Sequence, residues 1–274
     1  MKKPENKVAL ITGGLRGIGL AMVQALLEQG LAVAAVGRRE SGIAPLLRAC
    51  EGRTENLLAI ASDLTEAGVV DQVVARVIER FGRIDILVNN AGVGNAIVRK
   101  DYLKNPVPFW QVTPQQWREM LSINTDVQFY LSRAVVGGMM DRRWGRIVNV
   151  TTSLYSMIRE GRLPYGPSKA AMEATAAVMA ADLAGTGVTV NVLVPGGPTD
   201  TDMLPLDSGM DRSKMIPPSV MGPPLKWIVS ADADDFTAKR IVAAKWIENR
   251  ASGIAPIAWL GLGNEVISPP TSPT

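Results

Sequence analysis

Short runs of consecutive apolar residues recur along the chain, and most are separated by longer segments with apolar residues at helical spacing. Such runs are typical of strands buried on both faces of a parallel sheet, and their alternation with helical segments predicts repeated β-α-β units. We predict strands at residues 7–12, 31–36, 57–61, 84–89, 145–150, 188–194 and 240–244. The pattern therefore predicts an α/β protein built on a parallel sheet.

Helical spacing predicts helices at 20–27, 43–50 and 65–80, a long helix that starts at Pro114, and another that starts near Tyr165. The connection 93–113, with Tyr102, Phe109 and Trp110, is long enough to be a binding loop or an interface. The segment 198–228 is rich in proline and methionine and suits a lid over an apolar ligand, with a disordered surface segment as the alternative. We expect one domain over 1–274, with an unstructured tail at about 262–274.

Composition narrows the class of protein. Apolar residues make up 47% and charged residues 20%, and the net charge is +3 without a run of Lys or Arg, which argues against nucleic-acid binding. There is no apolar segment long enough for a membrane span or a leader, and the single Cys50 fits a reducing cytoplasm. Histidine is absent, which together with one cysteine predicts no metal site.

A glycine cluster at 13–19 lies between the first predicted strand and the first predicted helix. Glycines at this point permit a tight turn and a close backbone approach, and the first helical turn offers free N–H groups to a pyrophosphate. A glycine-rich loop without a ligand is the alternative. We predict a dinucleotide site, and we assign to it Gly13, Leu15, Arg16, Gly17, Ile18 and Gly19.

The end of the second predicted strand indicates which cofactor is bound. An acidic residue there would hold a ribose 2′-hydroxyl, but the chain has Arg38 and Arg39. A guanidinium suits a 2′-phosphate, and Arg16 can approach the same group. We therefore predict NADP(H), although the arginines could also be solvated surface charge.

The ends of the third and fourth strands carry further candidates. Asp63 either accepts a hydrogen bond from an adenine amino group or caps the next helix, and Leu64 is assigned to the cofactor site with it. The amides at 89–90 can tie neighbouring strand ends together, while small residues let a ring approach. We place Asn90, Ala91 and Gly92 in the cofactor site, with a turn that has no binding role as the alternative.

Tyr165 and Lys169 are four residues apart at the start of a predicted helix and therefore lie on one helical face. A tyrosine has a reference pKa of about 10, and an ammonium about 4 Å away could lower it by about three units. The phenol could then exchange a proton with a carbonyl or an alcohol. Tyr155 and Arg159 have the same spacing but lie in a predicted loop, and they are the weaker pair.

Together these motifs resemble the short-chain dehydrogenase/reductase family over roughly residues 5–250. The resemblance implies a single Rossmann-like doubly wound domain, with a seven-stranded parallel sheet and helices on both faces, assembled as a homodimer or homotetramer. It also implies that Asn124 holds a water in a proton relay. Lys169 would bind the nicotinamide ribose and lower the Tyr165 pKa. Tyr165 and Lys169 are therefore also assigned to the cofactor site.

Two departures from the family pattern leave assignments open. The family serine corresponds here to Thr152, whose hydroxyl can donate as serine does, and the adjacent Ser153 is the fallback. In the proline-glycine segment that starts at Pro195, Pro198 replaces the usual apolar residue. Thr199 and Thr201 remain candidates for binding the nicotinamide amide. The cofactor residues assigned there are Pro195, Gly196, Pro198, Thr199 and Thr201.

The expected function is an NADPH-dependent carbonyl reductase, reversible as an alcohol dehydrogenase, with Asn124, Thr152, Tyr165 and Lys169 as its catalytic residues. Phe109, Trp110 and the methionine-rich segment suggest an apolar substrate, although a polyol, a sugar acid or an acyl thioester would fit the motifs. The alternatives are a cofactor sensor without chemistry, and an epimerase or dehydratase. The latter usually has a separate substrate domain, which this chain lacks.

Overall fold

The computed structural model describes residues 6–205, 209–246 and 254–256. One sheet contains all the strands found in these residues. They are β1 (Val8–Thr12), β2 (Ala32–Gly37), β3 (Leu57–Ala61), β4 (Ile86–Asn89), β5 (Gly145–Val150), β6 (Val188–Val194), β7 (Lys239–Val242) and β8 (Ile254–Pro256).

The strand order is β3-β2-β1-β4-β5-β6-β7-β8, and β1 to β7 are parallel. This confirms the predicted seven-stranded parallel sheet. The eighth strand, β8, pairs antiparallel with β7 at the edge and was not predicted, because it has three residues and one of them is Pro256, which is unfavourable inside a strand. The direction of strand succession reverses between β1 and β4, and such a switch point opens a crevice at the carboxyl ends of the strands.

Helices cover both faces of the sheet, as predicted. They are α1 (Gly17–Glu28), α2 (Ile43–Ala49), α3 (Val69–Phe81), α4 (Pro114–Leu121), α5 (Val127–Asp141), α6 (Leu154–Ile158), α7 (Tyr165–Asp182) and α8 (Gly222–Ile228). Short 3₁₀ turns occur at Glu40–Gly42, Thr54–Asn56, Asn95–Ile97, Phe109–Gln111, Arg212–Lys214, Pro218–Met221, Ala231–Ala233 and Ala243–Lys245.

Two hydrophobic cores lie on opposite faces of the sheet. Alternate residues of a strand point to opposite faces, so Val8 and Leu10 of β1 join the core under α3, α5 and α7. Ala9 and Ile11 join the other core, under α1, α2 and α8. The consecutive apolar residues of β1 are therefore all buried, which is why the strands read as continuous apolar runs.

The long helix predicted from Pro114 is present but contains a π-turn. Thr113 and Gln116 form a capping box at its start, with Pro114 in the first turn. The π-turn at Ser122–Asp126 joins α4 to α5 and holds Asn124. Single π-turns inside α-helices are frequent at functional sites, so the location of Asn124 in this turn is consistent with a functional role.

The predicted lid at 198–228 divides into two parts. Its second part is not a mobile cover, because Met221, Leu225 and Ile228 are fully buried in the core beside α1. Only the first part, near Thr201 and Met203, borders the cleft. The expected tail at about 262–274 lies outside the described residues.

The loop expected around Tyr155 and Arg159 was a wrong prediction, since Leu154–Ile158 forms the short helix α6. Ser153 caps this helix by accepting a hydrogen bond from the Ser156 backbone N–H at 3.1 Å. Among the helices of the described residues, none combines the length and the apolar character needed to cross a bilayer.

Candidate active site

The glycine turn between β1 and α1 forms a backbone cradle. Gly13 adopts a φ of 65°, in the left-handed region that favours glycine. A Cβ at Gly19 would lie 2.0 Å from the Gly13 carbonyl oxygen, so a side chain there would collide with the turn. The residue before α1, Arg16, makes no side-chain cap, which leaves the first N–H groups of the helix available to an anion.

A cleft of ≈ 650 Å³ opens beside this turn. Most of the predicted cofactor residues line it: Gly13, Leu15, Arg16, Gly17, Ile18, Gly19, Arg38, Arg39, Asp63, Leu64, Asn90, Ala91, Gly92 and Thr201. The other predicted cofactor residues are outside the lining of the cleft: Tyr165, Lys169, Pro195, Gly196, Pro198 and Thr199. The cleft thus collects the residues expected to hold the nucleotide, and the residues expected near the nicotinamide lie beyond it.

Asn90 ties the ends of β4 and β1 together, as the sequence suggested. Its side-chain Nδ2 donates to the Thr12 carbonyl at 2.8 Å, and its backbone N–H donates to the Thr12 hydroxyl at 3.0 Å. The Ala91 N–H donates to the same hydroxyl at 2.9 Å. These bonds fix the floor of the cleft.

Three arginines stand at one side of the cleft. Arg38 and Arg39 are exposed, and neither guanidinium has a hydrogen bond or an ion pair with any residue that the structure describes. Arg16 donates to Asp202 at 2.8 Å, which ties the glycine turn to the segment after β6. A 2′-phosphate would therefore meet two unpaired guanidinium groups there and a third that has an acidic competitor.

Asp63 does not cap α3, which begins six residues later with Gly68 at its N-cap. Its carboxylate instead accepts hydrogen bonds from the Thr65 backbone N–H at 3.1 Å and from the Thr65 hydroxyl at 2.7 Å. The capping alternative for Asp63 was therefore wrong. Its carboxylate remains in the lining of the cleft, where the adenine alternative stays a prediction.

The two threonine candidates after β6 differ in position. Thr199 is buried, and its hydroxyl donates to the Gly197 carbonyl at 3.2 Å. Thr201 lines the cleft and lies against the glycine turn, since its Cγ2 would be 3.2 Å from a Cβ at Gly17. Of the two, Thr201 is the one within reach of a ligand in the cleft.

Lys169 lies at the boundary between the cleft and the proton-transfer residues. The side chain is buried, and its ammonium donates to the Val150 carbonyl at 3.1 Å. A Cβ at Gly92 would lie 3.3 Å from this nitrogen, so the ammonium is adjacent to the cleft lining. Burial lowers the pKa of Lys169 from 10.5 to about 8, because a charged ammonium loses hydration there.

Burial raises the pKa of Tyr165 above its usual value of 10.0. The Thr152 side chain opposes this by hydrogen bonding, the nearby Tyr102 raises the pKa further, and Arg162 lowers it. The expectation that Lys169 brings the phenol towards neutral pH was therefore wrong. No hydrogen bond joins Lys169 to Tyr165 in the described residues, although both lie on the first turns of α7.

Thr152 and Ser153 have different neighbours. The Thr152 side chain lies close enough to the Tyr165 phenol to lower its pKa, whereas the Ser153 hydroxyl caps the start of α6 and also donates to the Ser156 hydroxyl at 2.9 Å. The backbone carbonyl of Thr152 accepts a hydrogen bond from Arg240 at 2.7 Å. The geometry therefore favours Thr152 as the hydroxyl that faces the tyrosine.

Asn124 is fully buried in the π-turn, and its side chain hydrogen-bonds to the backbone of the segment after β4. Its Oδ1 accepts from the Val93 N–H at 2.8 Å, and its Nδ2 donates to the Val93 carbonyl and to the Ser168 hydroxyl, each at 3.0 Å. The backbone carbonyl of Asn124 accepts from Gln128 at 2.6 Å. Asn124 thus joins the cleft floor to α7, and its role in holding a water stays a prediction.

Sequence reasoning missed four residues of this region: Tyr102, Arg162, Glu173 and Arg240. The first had been noted only as part of a long connection. Glu173 could have been found, because it follows Lys169 by four residues and so shares its helical face. The other two lack a local signal, since they reach the site from a loop and from β7. Tyr155 and Arg159, the weaker alternative to Tyr165 and Lys169, form a surface contact. The Arg159 guanidinium is 5.5 Å from the Tyr155 ring centroid.

Comparison with known proteins decides the family. A family model described as short chain dehydrogenase matches residues 7–209. The chain belongs to the short-chain dehydrogenase family. The glycine cradle, the uncapped start of α1 and the unpaired arginines all fit a nicotinamide dinucleotide, and this short-chain dehydrogenase is an oxidoreductase that uses such a cofactor.

Relatives of this short-chain dehydrogenase carry different activities in their names. It is 35% identical over 199 residues to the 3-oxoacyl-(acyl-carrier-protein) reductase of Vibrio cholerae, covering 73% of this chain and 76% of the relative. The enzyme of that name from Escherichia coli is 31% identical with the same coverage. The 2,3-dihydro-2,3-dihydroxybenzoate dehydrogenase of Bacillus subtilis is 32% identical, covering 73% and 72%.

Proposed function

We propose that the protein is an NADPH-dependent oxidoreductase that reduces a carbonyl group to a secondary alcohol and also runs in reverse as an alcohol dehydrogenase. One observation carries the proposal. Thr152 lies close enough to the Tyr165 phenol to affect its pKa, while Lys169, one turn further along the same helix, lies next to Gly92 in the lining of the cleft. A proton donor and a nucleotide cleft are therefore adjacent.

Tyr165 is the proposed acid. Because burial raises its pKa, the phenol keeps its proton at neutral pH and can give it to the oxygen of a carbonyl that is being reduced. Thr152 orients and polarises the same oxygen through its hydroxyl, and Ser153 is the weaker candidate because it caps α6. NADPH, when bound, supplies the hydride. Alcohol oxidation requires the phenolate, so this direction should become faster as the pH rises.

Lys169 and Asn124 act on the nicotinamide side of the site. We assign the Lys169 ammonium to the ribose hydroxyls, a role supported by its place next to Gly92. Asn124 holds the backbone of Val93 through two hydrogen bonds and so keeps this wall of the cleft in place. Its role in a water-mediated proton relay is part of the proposal.

The preference for NADP(H) over NAD(H) is supported by Arg38 and Arg39, which lie in the lining of the cleft without an acidic partner among the described residues. Arg16 would have to exchange Asp202 for the 2′-phosphate. Phosphate contacts of this kind are charge-assisted and frequently bidentate with arginine.

An apolar body of the substrate is supported by Met203, whose Cγ would be 3.3 Å from a Cβ at Gly94 near the end of the cleft. The names of the relatives leave the substrate open, since one acts on a 3-oxoacyl group and another on a dihydrodihydroxybenzoate. We also propose that the protein is cytoplasmic and forms a homodimer or homotetramer. The assembly is supported by exposed apolar side chains such as Phe129 and Val178 on neighbouring helices.

The variant Tyr165→Phe tests the central role of the phenol. Turnover of a panel of ketones, followed as loss of NADPH absorbance, should fall by about 10³-fold or more, because the proton donor is lost while the ring is kept. Cofactor binding, followed by fluorescence titration, should change less than about threefold, and NADPH should bind at least about tenfold more tightly than NADH.

Tyr155→Phe is the matched control, since this tyrosine packs with Arg159 and is not among the groups that shift the pKa of Tyr165. Retention of most ketone reductase activity in Tyr165→Phe would refute the assignment. Tight NADPH binding without turnover of any carbonyl compound by the wild type would favour a cofactor sensor. Tighter binding of NADH would overturn the assignment of the arginines.

A further inference from the structure

Arg162 is the only half-buried or buried arginine of the described residues that lacks an acidic partner. The other four each pair with a carboxylate: Arg83 with Asp85, Arg146 with Asp234, Arg212 with Asp200, and Arg240 with Glu173. Its guanidinium also makes no hydrogen bond to any described residue. A partly desolvated charge without a partner is costly, so a site that retains one can gain free energy by binding an anion.

The position of Arg162 is well defined by its surroundings. It lies between α6 and α7, three residues before Tyr165, and its carbonyl accepts from the Gly166 N–H at 2.7 Å. The guanidinium stacks on the ring of Tyr102, with its carbon 5.1 Å from the ring centroid. Stacking on an aromatic face leaves the edge of the guanidinium, with its N–H donors, free for a planar ligand.

The long connection after β4 is tied to this loop. Asn95 donates through Nδ2 to the Gly161 carbonyl at 2.6 Å, and a Cβ at Gly161 would lie 2.5 Å from the Pro106 side chain. Tyr102, which lies between these two contacts in the chain, is buried. Tyr102 and Arg162 are close enough to Tyr165 for both to influence its ionisation.

A role for Arg162 in holding the cofactor is disfavoured by its location. It is absent from the lining of the cleft, whose arginines are Arg16, Arg38 and Arg39. A pyrophosphate would lie at the start of α1, beside the glycine turn. Arg162 instead lies near Tyr165, the proposed proton donor, and the reacting carbonyl must lie beside that residue.

We propose that Arg162, supported by the ring of Tyr102, binds a carboxylate of the substrate, which is therefore an oxo acid on reduction and a hydroxy acid on oxidation. This rests on the proposed function and specifies the substrate class of the same site. The carboxylate forms a bidentate pair with the guanidinium edge and thereby fixes the carbonyl oxygen next to Tyr165 and Thr152. The rest of the substrate remains free to be apolar.

The first test compares acids with their uncharged esters. Initial rates with NADPH are measured for 2-oxooctanoate, 3-oxooctanoate and the methyl ester of each, using the wild type, Arg162→Gln and the control Arg159→Gln. Arg159 is an exposed arginine of the same region that stacks on Tyr155 and has no ion pair with the described residues. We expect the wild type to prefer at least one acid over its ester by about tenfold or more in kcat/KM.

In Arg162→Gln the kcat/KM for that acid should fall about 10- to 100-fold, mainly through KM, with little change for the ester. Arg159→Gln should behave as the wild type. Tyr102→Phe should keep the preference, because the ring is retained, whereas Tyr102→Ala should weaken it. Equal rates for acid and ester in the wild type, or equal losses for both in Arg162→Gln, would overturn the proposal.

A binding measurement separates this inference from the proposed function. Calorimetric titration with hexanoate and with hexanamide, in the presence of NADP⁺, reports the anion site without turnover. Hexanoate should bind more tightly than hexanamide, and Arg162→Gln should abolish the difference. If no ketone is reduced but this difference is found, the reductase proposal fails and the anion site stands. If neither ligand is preferred and no acid is preferred in turnover, the anion site is refuted.

Discussion

Lys169 is the residue in which burial and charge oppose each other most directly. The residue is 4% exposed, and its ammonium has one carbonyl, that of Val150, and one thioether, that of Met172, as partners in the described residues. Because neither partner is charged, desolvation dominates and lowers the pKa to about 8. The folded protein therefore carries a cost for keeping this lysine protonated at neutral pH.

The stability of the protein should depend on pH through this lysine. Below pH 8 the group is protonated in both the folded and the unfolded state, and the folded state bears the full desolvation cost. Between about 8 and 10.5 the unfolded state binds more protons, so stability rises with pH. Relative to Lys169→Met, the free energy of unfolding of the wild type should rise by roughly 3 kcal/mol over this range.

Urea denaturation of the two proteins at several pH values between 7 and 10.5 measures this difference. Replacement of the exposed Lys100 by methionine is the control for the loss of a lysine as such. A difference between wild type and Lys169→Met that stays constant with pH would contradict the assigned pKa. A difference that falls with pH would mean that an unrecognised anion stabilises the ammonium.

At the scale of secondary-structure elements, α7 and β7 both contact the carboxyl end of β5. The Thr151 hydroxyl donates to Glu173 of α7 at 2.6 Å, and Arg240 of β7 donates to the same carboxylate oxygen at 3.1 Å. Arg240 also donates to the Thr152 carbonyl at 2.7 Å. This buried junction holds the chain segment that carries Thr152, so we expect Arg240 and Glu173 to act as positioning residues.

Arg240→Met should destabilise the protein by about 3–5 kcal/mol, because it leaves the buried Glu173 carboxylate without its cation. Adding Glu173→Gln should recover much of this loss, since no uncompensated charge remains. The kcat for ketone reduction should nevertheless stay low in the double variant, because the Thr152 carbonyl has lost its donor. Thermal unfolding and steady-state kinetics separate the two effects, and a kcat restored with stability would refute a positioning role.

The elements themselves were largely predictable, for a physical reason. Parallel strands covered on both faces consist almost entirely of apolar residues, as β1 and β2 do, so they stand out in a sequence without reference to other segments. The elements that were missed are short. Helix α6 has five residues, which are too few to show a helical repeat of apolar positions, and β8 depends on pairing with β7, which the local sequence does not identify.

At the scale of the whole molecule, the cofactor half of the site was easier to predict than the substrate half. The glycine turn follows β1 directly, and Tyr165 and Lys169 share a helix, so their spacing alone brings them together. Tyr102 and Arg162 meet only because a long connection folds against the loop before α7. The raised pKa of Tyr165 likewise depends on burial, which is a property of the folded chain.

The largest exposed apolar side chains of α5 and α7 are the candidate interface of the proposed homodimer or homotetramer. On α5, Phe129 and Tyr130 are 47% and 52% exposed, and Val178 on α7 is 61% exposed. The two helices adjoin, since Phe129 lines a small depression together with Thr175 and Met179 of α7. Apolar side chains clustered on adjoining helices are typical of a surface that is covered in an assembly.

Placing carboxylates on this surface should dissociate the proposed assembly. We expect light scattering after gel filtration to give the mass of a dimer or tetramer for the wild type and a smaller mass for Phe129→Asp combined with Val178→Asp, because an interface cannot bury unpaired carboxylates without a large desolvation cost. Trp110→Ser is the control, since this side chain is 72% exposed but lies in the connection before α4. A wild type that is monomeric at micromolar concentration, or a double variant of unchanged mass, would show that α5 and α7 do not form the interface.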